Sequence, residues 1–470
     1  MNMVLSKFFL FLLMVLIVIL PNSTYFEYDY KRFFEVIFIF ICLLFPIFYR
    51  SYFTLFLTKK IRVIFVCIFV LGILSCLFSK SYKFAFIEVI TLFSLSISAI
   101  RVSMAFKNKE YIYASIFVLI VSIFILEVNF YLYYFIFLDN YKSSGFEFLF
   151  PTFAHVRFFN QYQIWSLPFV SILINNYFFN IFIKKIYLFV SVSWWLMFFC
   201  AGSRGAVVSV LFGYLFVLFF YKDLVKDIIK KTFVVASLGL VLYIILFYFI
   251  PYLIYYDLDS EIGDEIGNEI VKIRTSSSGR TILWLKAVFY IKDNPFLGIG
   301  PMHYSWHDAV FEEINKANHP HNSMLQWGSE WGLISLFLML LLIFYSYRSW
   351  FNKFRYSTLK HMDEGDKQLI IMLTLSSSSA ILYSLFSGVI VMPLSQLMGV
   401  LVFSMMLGLY HKKRGYLEIK NNLYRVVFFS VAMFYFYLLV PEIFDIFLPK
   451  NNAYYFTMHY PRFWLDGNIQ

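Results

Sequence analysis

Three short stretches carry residue types that could act together on a phosphorylated substrate. Gly202-Ser203-Arg204-Gly205 and Gly279-Arg280 each set an arginine beside glycine, and His319-Pro320-His321-Asn322 sets two imidazoles beside an amide. Arginine presents a planar fork of donors that fits phosphate oxygens in a bidentate manner. An imidazole titrating near 6.5 can take a proton from a hydroxyl nucleophile at neutral pH. Two such arginines and one such histidine would make a pyrophosphate cradle with a neighbouring base. Arg157, with His155 beside it in the segment 153–163, is a further cation of this kind.

Each residue has a plainer reading. Arg204 alone would serve as a loop anchor or a lipid-headgroup contact. Arg280 could pair with the acidic stretch 257–269, and a histidine beside a helix start is often a structural hydrogen-bonder. Asp308, Glu312, Glu313 and Glu330 could act as bases, but their spacing selects no pair. His303 and His307 with His319 and His321 could suggest zinc, yet the chain has no H-E-x-x-H, and no metal or cofactor is expected. It also lacks the phosphate-cradling G-x-x-x-x-G-K-[ST] pattern, the G-x-S-x-G elbow and the dinucleotide fingerprint.

The elements that must position these groups are membrane helices. Of 470 residues, 61% are hydrophobic, 23% aromatic and 14% charged, against about 25% charged in an ordinary soluble domain. Such a chain cannot hide its apolar surface in a water-facing fold. Soluble enzymes, disordered chains and disulfide-stapled modules are excluded. The net charge of +11 reflects lysines and arginines anchoring inner loops, not nucleic-acid binding. Cys42, Cys67, Cys76 and Cys200 all fall inside apolar runs and are expected to be buried thiols without disulfides or metal.

Apolar runs predict thirteen spans near 4–21, 33–49, 63–79, 84–100, 111–136, 161–178, 186–201, 206–221, 232–256, 332–347, 368–390, 392–410 and 426–447. The first lacks a small-x-small cleavage pattern and is expected to be a retained helix. Lys and Arg clusters in alternate loops place the N-terminus in the cytoplasm and the C-terminus outside. The expectation is an all-α polytopic membrane protein of about 12–13 transmembrane helices. Residues 1–256 form an N-terminal bundle, 257–331 a large outer loop, 332–447 the last helices, and 448–470 an outer tail. A loop as long as 257–331 is usually functional. Within it, residues 281–292 predict an interfacial helix with Lys286 and Lys292 toward water, ended by Asn294-Pro295, and Asn322 or Ser323 is a candidate cap for the following helix.

Four motifs in order give a resemblance. They are Ser203-Arg204-Gly205-Ala206; Gly279-Arg280 with Trp284; Asn294-Pro295-Phe296-Leu297-Gly298-Ile299-Gly300; and His319-Pro320-His321-Asn322 with Gln326 and Glu330-Trp331-Gly332. Together, across roughly residues 150–410, they resemble the O-antigen ligase/polymerase superfamily. The resemblance implies a C-type glycosyltransferase-like fold in a bacterial inner membrane, with the large loop periplasmic. It implies metal-independent, inverting transfer of a glycan from undecaprenyl pyrophosphate. Carried to this sequence, it makes His321 the base, Arg204 and Arg280 the pyrophosphate ligands, and Arg157, His319 and Asn322 their supporting residues. The branches differ in acceptor. Lipid A–core, giving an O-antigen ligase, is the first choice; another lipid-linked chain gives a polymerase, and a pilin serine gives a protein O-oligosaccharyltransferase.

A transporter or flippase is the competing class. It should show charged or broken residues near mid-span, where only Glu88 and Glu127 stand out. The unusual residues collect instead on one face, which favours the enzyme.

Overall fold

The computed structural model describes residues 2–23, 28–48, 53–55, 58–139, 146–172, 181–255, 280–305, 317–411, 417–419, 423–447 and 462–464. The acidic stretch 257–279, His307, Asp308, Glu312 and Glu313 lie outside them.

The first nine helices are α1 (Asn2–Asn22), α2 (Tyr28–Phe48), α3 (Lys59–Leu77), α4 (Tyr82–Val102), α5 (Lys109–Asp139), α6 (Val156–Ile172), α7 (Ile181–Cys200), α8 (Arg204–Tyr221) and α9 (Lys226–Ile244). A π-turn at Ile245–Phe249 carries α9 into α10 (Ile250–Tyr255). There follow α11 (Arg280–Asp293), α12 (Ser323–Lys353), the short α13 (Tyr356–Lys360), α14 (Glu364–Tyr383), α15 (Pro393–His411) and α16 (Leu423–Phe447). The thirteen expected spans fall on α1 to α9, α12, α14, α15 and α16. The protein is an all-α polytopic membrane protein.

Among the described residues, eight segments are long and apolar enough to cross a membrane, and one of them, Arg204–Ile254, takes in both α8 and α9. The helices α2, α6, α7 and α14 are not among them: α6 has only 17 residues, and α2 and α14 turn polar groups inward. Arg32 and Glu35 of α2, Asn160, Gln161 and Gln163 of α6, and Ser376 to Ser379 of α14 are all buried. Two helices differ from the expected bounds for the same reason. The fourteenth ends at Tyr383, not near 390, and the sixth starts at Val156, five residues early, so polar ends of both are used inside the bundle.

Contacts between loops agree with the expected alternation of faces. Strands β1 (Phe53–Leu55) and β2 (Leu417–Ile419) pair antiparallel, with Thr54 opposite Glu418, and both come from expected inner loops. At the other end Lys83 meets Glu442 at 2.7 Å and the Ser81 amide donates to His303 Nε2 at 2.9 Å.

The helix α12 is broken at Gly332 (φ 81°, ψ 164°), and the break is a backbone clip. The Ile299 and Gly300 amides donate to the carbonyls of Ser329 and Glu330, and the Leu333 amide donates to Pro295 O at 2.8 Å. A Cβ on Gly332 would lie 2.1 Å from Phe296 O, and one on Gly298 would lie 2.4 Å from Glu330 O. The Asn294–Gly300 and Glu330–Gly332 motifs are therefore two halves of one packed joint.

A buried ion cluster braces the same joint. Arg462 Nη2 lies 2.5 Å from Glu330 Oε2 and 2.6 Å from Glu88 Oε2, while Glu330 Oε1 accepts from the Tyr304 amide at 2.9 Å. The segment 462–464 is held by Tyr28 and Arg32 of α2, which donate to the Arg462 and Phe463 carbonyls at 2.9 and 3.0 Å. Glu330 is thus engaged structurally and is not a free base, and Glu88 is an ion-pair partner.

Two further expectations need correction. Lys286 does not face water: it is buried, its Nζ 5.1 Å from the centre of the Tyr304 ring, because α11 packs on α12 and on the turn at 303–305. Lys292 is exposed as expected. Cys42, Cys76 and Cys200 are buried, but Cys67 is exposed on the apolar outer face of α3.

Gly332→Ala should destabilise the protein by at least about 2 kcal/mol through a clash and a disfavoured φ, seen as a lower melting temperature in detergent. Arg462→Ala leaves Glu330 enclosed without its cation and should cost about 3–5 kcal/mol in the same measurement.

Candidate functional site

Each candidate residue sits at the start of a helix. Gly202 (φ 60°) ends α7, Ser203 caps α8 by accepting from the Ala206 amide at 3.3 Å, and Arg204 is then the first residue of α8. Arg280 is the first residue of α11, and Arg157 lies in the first turn of α6, where its amide donates to His155 Nδ1 at 3.0 Å. Asn322 caps α12: its Oδ1 accepts from the Met324 and Leu325 amides at 3.0 and 3.1 Å, so it, not Ser323, is the cap.

These helix starts gather at one end of the bundle. Trp284 Nε1 on α11 donates to Pro320 O at 3.0 Å, tying the Arg280 helix to the histidine turn. The Ser323 amide donates to Ser384 O at 2.9 Å, and Gln161 Nε2 donates to Ser387 Oγ at 2.7 Å, so α12 and α6 meet on the turn that follows α14. Tyr383, the last residue of α14, holds Ser203 Oγ at 3.0 Å. Arg157, Arg204, Arg280, His319, His321 and Asn322 therefore share one site.

Its electrostatics are one-sided. The half-buried Arg280 has its pKa lowered, first by burial and then by the positive charge of Arg157, with Arg204 adding to it. Arg280 Nε is enclosed and makes no hydrogen bond among the described residues. Arg204 is exposed and Arg157 half-buried. A helix N-terminus already carries about half a positive charge, which sequences usually answer with Asp or Glu. None of α6, α8, α11 and α12 has an acidic residue in its first turn. Four positive helix ends and three guanidinium groups make a site for a multiply charged anion.

The histidines border this site. His319 is buried, with a pKa pushed down to about 3 by burial and by Arg462 and Arg157, so it is neutral at any ordinary pH. Its Nδ1 accepts from the His321 amide at 3.2 Å, and its ring lies against Gly388, where a Cβ would come within 3.2 Å. His321 has φ 52°, a sparsely populated conformation for a non-glycine residue, and its ring stands edge-on to that of His319 at 4.1 Å between centroids. Burial, His319, Arg157 and Arg280 all hold its pKa well below the usual imidazole range. Its Nδ1 is enclosed and has no hydrogen-bond partner among the described residues. A neutral imidazole with a free nitrogen beside an anion site can accept a proton.

His303 differs. Its Nε2 accepts from Ser81 and its Nδ1 lies 2.9 Å from Pro301 O, so both nitrogens are engaged. Among the described residues no group of three or more His, Cys, Asp or Glu is arranged to hold a metal. Sequence reasoning missed Tyr383, Gln161 and the serines at 384 and 387; hydroxyl and amide residues in apolar helices, three to four apart, were the available signal.

Residues 188–352 match the family model described as O-antigen ligase. No curated protein matches the chain. The matched region runs from α7 through α12 and holds Arg204, Arg280 and His321 together with both halves of the glycine clip. Over this region the chain is similar to the O-antigen ligase family.

Proposed function

We propose that the protein transfers a glycan from undecaprenyl pyrophosphate to lipid A–core on the periplasmic face of a bacterial inner membrane. The observation that carries this reading is the convergence of Arg157, Arg204 and Arg280 with the unpaired Nδ1 of His321. The match to the O-antigen ligase family supports glycan transfer of this general kind; a second lipid-linked chain and a pilin serine are the alternative acceptors.

The residues divide the work as follows. Arg204 and Arg280 hold the pyrophosphate and stabilise the charge that grows on it as the anomeric bond breaks. Arg157 completes the cationic wall. His321 takes the proton from the acceptor hydroxyl as that oxygen attacks the anomeric carbon from the face opposite the diphosphate, which inverts the centre. His319 and Asn322 hold the turn that carries His321. The departing group is a stable diphosphate, so the chain's own cations suffice to stabilise it.

The depressed basicity of His321 has a use. In the empty site burial, His319 and the arginines together keep the imidazole neutral. A bound pyrophosphate offsets their charge, raises the pKa of His321 and makes it a stronger base when the acceptor is present.

His321→Ala should lower glycan transfer by about 10²–10⁴-fold while membrane insertion is unchanged, measured with purified protein in liposomes. Arg204→Lys and Arg280→Lys should each lower transfer by roughly tenfold or more, because a point charge does not replace a fork; wild-type rates in both would remove the cradle. The pH profile tests the coupling. His321 acts as a base only above its own pKa, which is depressed in the free enzyme and raised by the bound anion. The acid limb of kcat should therefore lie at higher pH than the acid limb of kcat/KM.

A further inference from the structure

A second cavity opens at the far end of α11. It has a volume of about 590 Å³ and lies between the α3–α4 turn and the C-terminal end of α11, with Phe78, Phe289, Phe296, Asp293, Asn294 and His303 among its walls. Arg280 and Asp293 bound the 14-residue α11, so the cavity stands about 20 Å from the arginine cluster along one rigid helix.

The lining suits a different part of the substrate from the one the arginines suit. Three aromatic rings are largely open, Phe78 at 77%, Phe296 at 69% and Phe289 at 46% exposure, and offer flat apolar faces. The charged groups, Lys80 and Asp293, are of opposite sign, so the excess positive charge that would select a phosphate is missing. His303 in the wall has both ring nitrogens engaged and is not poised for proton transfer. Ring faces that can stack on the C–H face of a sugar, with a carboxylate and an amide to meet hydroxyls, make a binding surface without reactive groups.

We propose that this cavity binds a saccharide segment of the glycan substrate, several sugar units away from the reacting pyrophosphate. The inference rests on the glycan-transfer reading above. It makes α11 a spacer with the diphosphate at its first turn and the sugar chain at its last, so that long glycans are favoured over short ones.

The test uses the full chain in nanodiscs and the free oligosaccharide released by mild acid from the producing cells' polyprenyl-linked glycans. Saturation-transfer NMR should show sugar protons contacting the wild type, with the signal reduced about 3-fold or more in Phe289→Ala/Phe296→Ala. Both side chains are exposed, so the fold should tolerate the change, and Asp293→Asn offers a second variant without loss of volume. In transfer assays the preference for a full-length over a one-sugar donor should fall about 3- to 10-fold in the variants. A parallel series with intact and truncated acceptor saccharide tells which partner supplies the segment, since only one ratio should move. Absence of saturation transfer to the wild type, or variants that leave both ratios unchanged, would overturn the proposal. So would variants whose rates follow the phosphatidylethanolamine-to-phosphatidylglycerol ratio of the bilayer and not glycan length, the mark of a lipid headgroup in the cavity. Failure of the wild type to transfer from any donor would instead remove the glycan-transfer reading, while the NMR arm still reports on the cavity.

Discussion

Positive charge gathered at the starts of several helices is the constraint that organises this molecule. Arg157, Arg204 and Arg280 stand at the beginnings of three helices, and the histidine turn feeds a fourth. Like charges held near one another repel, and each positive helix end adds to that. A protein selected only for stability would put Asp or Glu in those first turns. None does so.

Such a cluster must be held together by groups that carry no compensating charge. Backbone does much of this. The clip between residues 295–300 and 329–333 fixes α11 to the N-terminal half of α12, and Trp284 fixes α11 to Pro320. The cross-link from Ser323 to Ser384 fixes the start of α12 to the end of α14. Arg462 does the rest from a distance: it satisfies Glu330 two residues before the break at Gly332, so the half-helix capped by Asn322 is anchored at both ends. A charge pair is tolerable there because it is completed by Glu88 and by the Tyr304 amide.

Much of this was legible in the sequence and some was not, for physical reasons. Apolar runs are a direct record of lipid contact, so a helix lies at each of the thirteen expected positions. Their ends could not, because the polar starts of α6 and α12 are buried against other helices and look like loop. Arg204, Arg280 and His321 were legible because glycine and proline beside them announce helix ends, where charge can meet a ligand. Glu330 could not be told from a base and Lys286 could not be told from a surface lysine: a partner at position 462 and two tyrosine rings decide them, and no local spacing encodes either. Trp331 and the glycines at 298 and 332 were visible as a motif, but the reason for it is close approach between segments distant in the chain.

The same placement bears on enzyme against transporter. Moving a substrate across the membrane asks for ionisable groups that change partners near mid-span. Glu88 is committed to Arg462 at the end of the bundle that carries the site, and Lys83 beside it is committed to Glu442. Glu127 is the remaining mid-span carboxyl. It is fully buried, and its oxygens accept no hydrogen bond among the described residues. A coupling group has to sense the substrate it moves, and the cations Arg157, Arg204 and Arg280 gather at one end, joined by rigid backbone. That geometry suits a fixed site that waits for a ligand at one face, which is what chemistry on a membrane-anchored donor needs.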